Sequence, residues 1–312
     1  MPTHLTRSVP VLRAVLMTAL LLVGTGCQRV LFGFLNRGLA PPGDTVVFAP
    51  ARGLSLDIYR PDPMPGTAAP VVVFFYGGSW QQGKREQYRF VGRRLAANGV
   101  LAIVADYRTW PQAGFPAFMD DAAQAVAWAR DNAASRGGDP SRVFVAGHSA
   151  GAHIAALLAT DGRYLDHHGI APAGLAGVVG LSGPYDFVID EELAPIFGPR
   201  EQWPSAQPVN FVDGDEPPFL LVHGADDDTV LPANSASLHA KLQEAGIRSR
   251  LVMLPDTGHA GVLLELKLPG TGPALAETLR FVGLGAAGDA DPSPAQAAAA
   301  AAAADGALVR IR

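Results

Sequence analysis

Apolar residues along this chain fall into short unbroken runs separated by stretches with a helical rhythm. Val71–Tyr76, Val100–Ala105 and Val143–Ala146 are continuous apolar runs rich in β-branched and aromatic residues. Runs without alternation predict strands covered on both faces, as in a parallel sheet. Gly177–Leu181, Phe219–Val222 and Ser249–Leu254 read as further strands. Upstream, Val46–Phe48 and Leu54–Tyr59 have period-2 character and predict a strand pair joined by Ala-Pro-Ala-Arg-Gly. Helices are expected around Tyr88–Asn98, over Met119–Ala134, from Ala152 to Thr160, over Asn234–Ala245 and over Thr271–Val282. In the second of these, Ala122, Val126 and Ala129 share one face, and Asp120 and Asp121 sit near the positive N-terminal end. Pro61–Pro70 predicts a loop, and Gly137-Gly138-Asp139-Pro140 a turn. The stretch between Leu181 and Pro218 is irregular and long enough for at most a small lid. The alternation of strand and helix predicts an α/β fold, a mostly parallel doubly wound sheet with helices on both faces.

Both ends differ in kind from this pattern. Arg7 and Arg13 precede the apolar run Ala14–Val23, then come Gly24-Thr25-Gly26 and Cys27, the only cysteine. A basic region, a short apolar region and small residues together predict an export signal over 1–27. The position of Cys27 resembles that of a bacterial lipoprotein signal, which implies a lipidated cysteine anchoring the chain at the membrane of the cell envelope. Such signals usually carry leucine three residues before the cysteine, where this chain has Gly24. An ordinary cleaved signal, leaving the protein periplasmic, and an uncleaved anchor extended by Val30–Leu35 are the alternatives. Residues 28–44 are expected to be a linker, 45–285 a single folded domain, and 286–312, with the tract Ala297–Ala304, an Ala-rich mobile tail. Among 312 residues, 48% are hydrophobic, 17% are charged, and the net charge is −5 without any basic block. That leaves ample material for a core and points away from nucleic-acid partners.

Chemistry concentrates where the run Val143–Ala146 stops. Gly147-His148-Ser149-Ala150-Gly151 is G-x-S-x-G placed between a predicted strand and a predicted helix. A sharp turn there exposes a serine hydroxyl, and the flanking glycines let strand and helix approach. Ser149 is the candidate nucleophile; the bland reading is an inert Gly-rich turn. A nucleophilic serine needs a base and a carboxylate to orient it. Downstream lie His153, His167, His168, His223, His239 and His259. His259, in Thr257-Gly-His-Ala260, follows the last predicted strand at the sheet edge where ligands bind, and is the candidate base. His239 falls inside a predicted helix, His167 and His168 in a polar loop, and His153 in the helix after the turn. His223 is expected to hold its loop. The carboxylate should follow the preceding strand, where Asp226-Asp227-Asp228 offers three choices. A calcium loop is not supported, since neither the glycine nor the later acidic residue of that motif is present.

Tyr76-Gly77-Gly78-Ser79-Trp80 directly follows another strand. Backbone N–H groups aimed at a developing oxyanion are typically worth roughly 3–4 kcal/mol each. The donors are assigned to Gly78 and Ser79 in the Gly77 loop, with Ala150 after the serine; a plain Gly-Gly turn is the alternative. These segments, together with Asp106-Tyr-Arg108 and Gly138-Asp-Pro-Ser-Arg-Val143, resemble the carboxylesterase branch of the α/β-hydrolases over about residues 45–283. The group is the one containing acetylesterases, arylformamidases and prenylcysteine methylesterases. The string His223-Gly-Ala-Asp-Asp-Asp-Thr-Val230 resembles the H-G-x-x-D-x-x-V pattern of that superfamily, which implies Asp227 as the orienting carboxylate, with Asp226 and Asp228 as solvated loop residues. The family usually has His-Gly-Gly where this chain has Tyr76-Gly-Gly.

The resemblance implies hydrolysis of a small carboxylic ester by Ser149, Asp227 and His259, with no cofactor and no metal. Amide hydrolysis, as in an arylformamidase, and an inactive hydrolase fold that only binds are the alternatives. Trp80, Trp110, Phe115, Phe118 and Trp203 are candidates for an apolar substrate pocket, with the core as the competing destination for each.

Overall fold

The predicted buried strands lie side by side in one sheet. The computed structural model describes residues 30–62, 64, 66–268 and 272–284; the expected export signal with Cys27 and the Ala-rich tail lie outside the described residues. Its strands are β1 (Asp44–Ala49), β2 (Leu54–Tyr59), β3 (Ala69–Phe75), β4 (Leu101–Ala105), β5 (Gly138–His148), β6 (Gly177–Leu181), β7 (Phe219–Gly224) and β8 (Ser249–Leu254). They are ordered β1-β2-β4-β3-β5-β6-β7-β8. The β1–β2 and β2–β4 pairs are antiparallel, and every pair from β4 to β8 is parallel. Val71, Val72 and Val73 have no exposed surface, as expected of a strand covered on both faces. In β1, half-buried and exposed positions alternate over Asp44–Val47, which suits an edge strand.

The helices are α1 (residues 30–35), α2 (Arg89–Ala96), α3 (Ala117–Asn132), α4 (Ala150–Thr160), α5 (Arg163–Asp166), α6 (Ala194–Phe197), α7 (Ala233–Glu244), α8 (Gly261–Lys267) and α9 (Ala274–Phe281). α4 is buried along its whole length, which accounts for its small and aliphatic residues. Asp121, expected as a helix-end charge, instead lies fully buried between Arg108 (2.8 Å) and Arg52 (2.7 Å). It clamps the chain after β4 onto α3. A buried carboxylate needs such partners to offset its lost hydration.

Three stretches differ from expectation. Residues 138–142 continue β5, while Asp139 still makes its own turn by accepting from the Ser141 N–H at 2.9 Å. α8 is too short to show a periodic pattern, and α9 starts later than Thr271. The irregular Leu181–Pro218 stretch holds α6 and two 3-10 turns, and it buries Phe187 and Phe197 in the body of the fold. In addition, the segment expected as a linker packs on the domain. Leu35 is fully buried, and the Asn36 side chain donates to Gln87 O (2.7 Å) and accepts from Phe90 N (3.0 Å).

Candidate active site

The sheet order reverses between β3 and β5, and the crevice outside their carboxyl ends is where α/β sheets place ligands. Ser149 follows β5 with φ 54° and ψ −124°, a backbone conformation that side-chain-bearing residues rarely adopt. The packing around it holds this strain. A Cβ on Gly147 would come within 2.2 Å of Gly151, and one on Gly151 within 2.1 Å of Phe75 O. Only glycines at both positions let β5, α4 and β3 meet at this distance.

Asp227, after β7, is buried, whereas Asp226 and Asp228 are exposed. Its Oδ1 accepts from the N–H groups of Thr229 (3.0 Å) and Val230 (2.9 Å). Its Oδ2 takes the Nδ1 of His259 at 2.8 Å and the Nε2 of His223 at 3.2 Å. Burial opposes the charge, but the hydrogen bonds from His223 and His259 outweigh it and hold the carboxyl well below the usual range. His223 is itself fixed, with Nε2 donating to Val230 O (2.8 Å) and Nδ1 paired with Ser235 Oγ (2.7 Å). It braces the Asp227 loop, the place expected for it.

Ser149 and His259 face one cleft of about 160 Å³, lined also by Gly77, Gly78, Ser79, Thr229 and Leu263. The Gly77-Gly78-Ser79 loop crowds this cleft. A Cβ on Gly77 would lie 3.0 Å from the Ser149 Cβ, and Gly78 has φ 138°. Among the described residues, the N–H groups of Gly78, Ser79 and Ala150 donate to no protein acceptor. Gly77 differs: its N–H donates to Tyr88 Oη at 3.1 Å, so its part is close approach, not donation. Where the resembling family has histidine, Tyr76 and Tyr107 hold the loop by a reciprocal pair. Tyr76 Oη donates to Tyr107 O (3.0 Å) and Tyr107 Oη to Tyr76 O (2.8 Å), with the rings stacked at 4.4 Å.

The family profile described as BD-FAE matches residues 56–242. The chain belongs to the BD-FAE family, within the α/β-hydrolases. The esterase LipC of Mycobacterium tuberculosis is 34% identical over 232 residues, 67% of this chain and 57% of that protein. The isoprenylcysteine alpha-carbonyl methylesterase ICME of Arabidopsis thaliana is 28% identical over 253 residues, 72% of this chain and 58% of that protein. The chain therefore spans a little over half the length of these relatives. Among solved structures, the propionate-bound esterase Est2 of Thermogutta terrifontis is similar with TM-score 0.64 and 26% identity, covering 80% of this chain and 97% of that one.

In this BD-FAE chain the five aromatic residues singled out as pocket candidates lie elsewhere than the cleft wall. Trp80 and Phe118 are buried, and Trp80, directly after Ser79, packs on Phe187 (5.6 Å) and Phe197 (4.8 Å). Trp110, Phe115 and Trp203 pack against the core. The apolar wall comes instead from Leu31 and Phe32 of α1, with Tyr88 and Leu263. No periodic signal marked α1, because its six residues make fewer than two turns. His153 also has a different task, bridging Trp80 Nε1 (3.2 Å) and Ala206 O (2.7 Å).

His148 and His153 are both buried, and burial pushes their imidazoles down to about 3 and about 4. Both folded values lie below the ordinary one, so their contribution to stability is complete above about pH 6.5. It is lost as pH falls toward the folded values, because the unfolded chain takes up protons the folded one refuses. Each imidazole adds about 1.4 kcal/mol per pH unit to this slope. Urea midpoints measured between pH 7 and 5 should fall steeply, and His153→Gln should remove one proton from the slope. A pH-independent midpoint would mean that these rings take up protons in the folded protein as readily as in the unfolded chain.

Proposed function

We propose that this chain is a serine carboxylesterase acting on small carboxylic esters through an acyl-enzyme. The observation that carries the reading is the 2.8 Å bond from His259 Nδ1 to the buried Asp227, on a histidine that shares its cleft with Ser149. A carboxylate acceptor keeps the proton on Nδ1 and leaves Nε2 free as a base. Nε2 takes the Ser149 proton as Oγ attacks the ester carbonyl, and the imidazolium is stabilised by Asp227. The tetrahedral oxyanion is received by the uncommitted N–H groups of Gly78, Ser79 and Ala150. His259 then protonates the leaving alcohol, and water attacks the acyl-serine by the same route. The esterase names of the relatives support the same class of reaction. Turnover of p-nitrophenyl acetate together with fluorophosphonate labelling of Ser149 tests it; absence of both would leave an inactive hydrolase fold that binds.

The substrate class follows from the cleft. Its volume of about 160 Å³ is close to that of an apolar cavity of about 150 Å³ that takes a benzene-sized guest, so a short acyl group fits. The propionate in the similar esterase is of that size. Leu31 and Phe32 set this limit. Phe32→Ala is expected to raise kcat/KM for octanoate relative to acetate by about tenfold or more. An unchanged chain-length profile across a p-nitrophenyl ester series would remove α1 from the pocket.

Cys27 is proposed to carry lipid and to hold the enzyme at the membrane of the cell envelope. The support is sequence alone: Arg7, Arg13, the apolar run Ala14–Val23 and the small residues before the cysteine. Radiolabelled palmitate should enter the wild type and not Cys27→Ala. Equal labelling of both, or labelling of neither, would discard the anchor.

A further inference from the structure

Tyr88 and His148 lie between the parts of the site without belonging to the nucleophile, base or oxyanion donors. Their polar atoms form a buried chain. The Gly77 N–H is 3.1 Å from Tyr88 Oη, Tyr88 Oη is 3.3 Å from His148 Nδ1, and His148 Nε2 is 3.2 Å from the carbonyl oxygen of His259. Only one assignment of protons satisfies every link. A backbone N–H can only donate, so Tyr88 Oη accepts from Gly77 and its own proton points to His148 Nδ1. Nδ1 is then an acceptor and the ring proton sits on Nε2, facing a carbonyl that can only accept. We propose that Tyr88 and His148 are positioning residues that tie the oxyanion loop, through the residue before the nucleophile, to the loop bearing the base.

Further observations agree. His148 precedes Ser149 directly, and a Cβ on Gly77 would lie 2.9 Å from both His148 Nδ1 and His148 O, so loop and imidazole are in contact. The His148 ring stands 4.7 Å from that of His259. A charged His148 there would oppose the imidazolium formed during acyl transfer, and burial together with the neighbouring His259 keeps it neutral. Burial likewise pushes the Tyr88 hydroxyl up, so it retains the proton it donates. Gly77 immediately precedes the donors Gly78 and Ser79. The relay therefore sets how far those donors stand from the His259 imidazole. That distance matters in the transition state more than in the bound ester.

The proposal rests on the esterase reading for its kinetic test but not for its spectroscopic one. Imidazole ¹⁵N NMR of the whole protein should show His148 neutral with the proton on Nε2; a proton on Nδ1 would overturn the relay whether or not the protein hydrolyses esters. Kinetically, Tyr88→Phe keeps the ring packed against Phe32 and Phe74 and removes only the hydroxyl. With p-nitrophenyl acetate, kcat is expected to fall about 10- to 100-fold with KM within about twofold, the signature of a lost transition-state arrangement. His148→Asn, which can still accept from Tyr88, and His148→Gln, which can still reach the His259 carbonyl, should each retain more activity than His148→Phe. Adding Tyr88→Phe to His148→Phe should cost almost nothing more, because one chain is already broken. Additive losses, or Tyr88→Phe with wild-type kcat, would sink the relay. Absence of Ser149-dependent turnover in the wild type would instead count against the esterase reading and leave the NMR result to decide.

Discussion

Ser149→Ala should lower kcat for p-nitrophenyl acetate by about 10⁴- to 10⁶-fold, since in the proposed mechanism it removes the nucleophile and leaves only binding and the oxyanion donors. The fold should survive. Alanine meets the same backbone strain at φ 54° as serine does, and the glycine contacts that impose it are untouched. The Ser149 N–H keeps its bond to Leu181 O at 2.9 Å. The thermal midpoint is therefore expected to move by no more than a few degrees, in line with a change of about 0.5 kcal/mol or less. Fluorophosphonate labelling should vanish in parallel. Substantial turnover by this variant would place the nucleophile elsewhere, while a collapse of the thermal midpoint would make the loss of activity uninformative.

How much of this could be read from the chain depends on the range over which each signal acts. The strands were legible because Val71–Phe75 and Leu101–Ala105 must be apolar on both faces, and that requirement is local. The sharp turn at Ser149 was legible because Gly147 and Gly151 answer a local demand, the near-contact of β5, α4 and β3. Asp227 could be chosen among three neighbouring aspartates only through resemblance, since nothing in an Asp-Asp-Asp run says which carboxylate turns inward. The structure separates them by burial. Still less legible were residues whose role depends on distant partners. Tyr88 meets Gly77 and His148 across the sheet crevice, and Leu31 and Phe32 reach the cleft from a segment that reads as a linker. Trp80 and Phe118 show the reverse: Trp80, beside the Gly77 loop, and Phe118 on α3 both pack on Phe197 in the core, because burying an aromatic ring brings more than lining a small cleft.

Asp227→Asn should reduce kcat about 10⁴-fold near neutral pH while changing KM little, and the reason lies in where the protons must go. The asparagine Oδ1 can keep both loop contacts, to Thr229 N and Val230 N, so the loop has little cause to unfold. Its NH₂, however, replaces Oδ2, which accepts from His259 Nδ1 and His223 Nε2. His223 can keep its bond to Val230 O at 2.8 Å. His259 relieves the conflict by becoming an acceptor at Nδ1, which moves its proton to Nε2 and removes the base. Stability should change in a specific pH window. The folded carboxyl ionises below its ordinary range, so its stabilising contribution is present above about pH 3.9 and is lost as pH falls further. Asp227→Asn has no such term, and its stability should be flatter over that acid range. Asp226→Asn and Asp228→Asn, both at exposed positions, serve as controls and should stay within about twofold of wild-type kcat, as surface changes do. A loss at either control equal to that at Asp227 would remove Asp227 from the orienting role and with it the reason for His259 to act as a base.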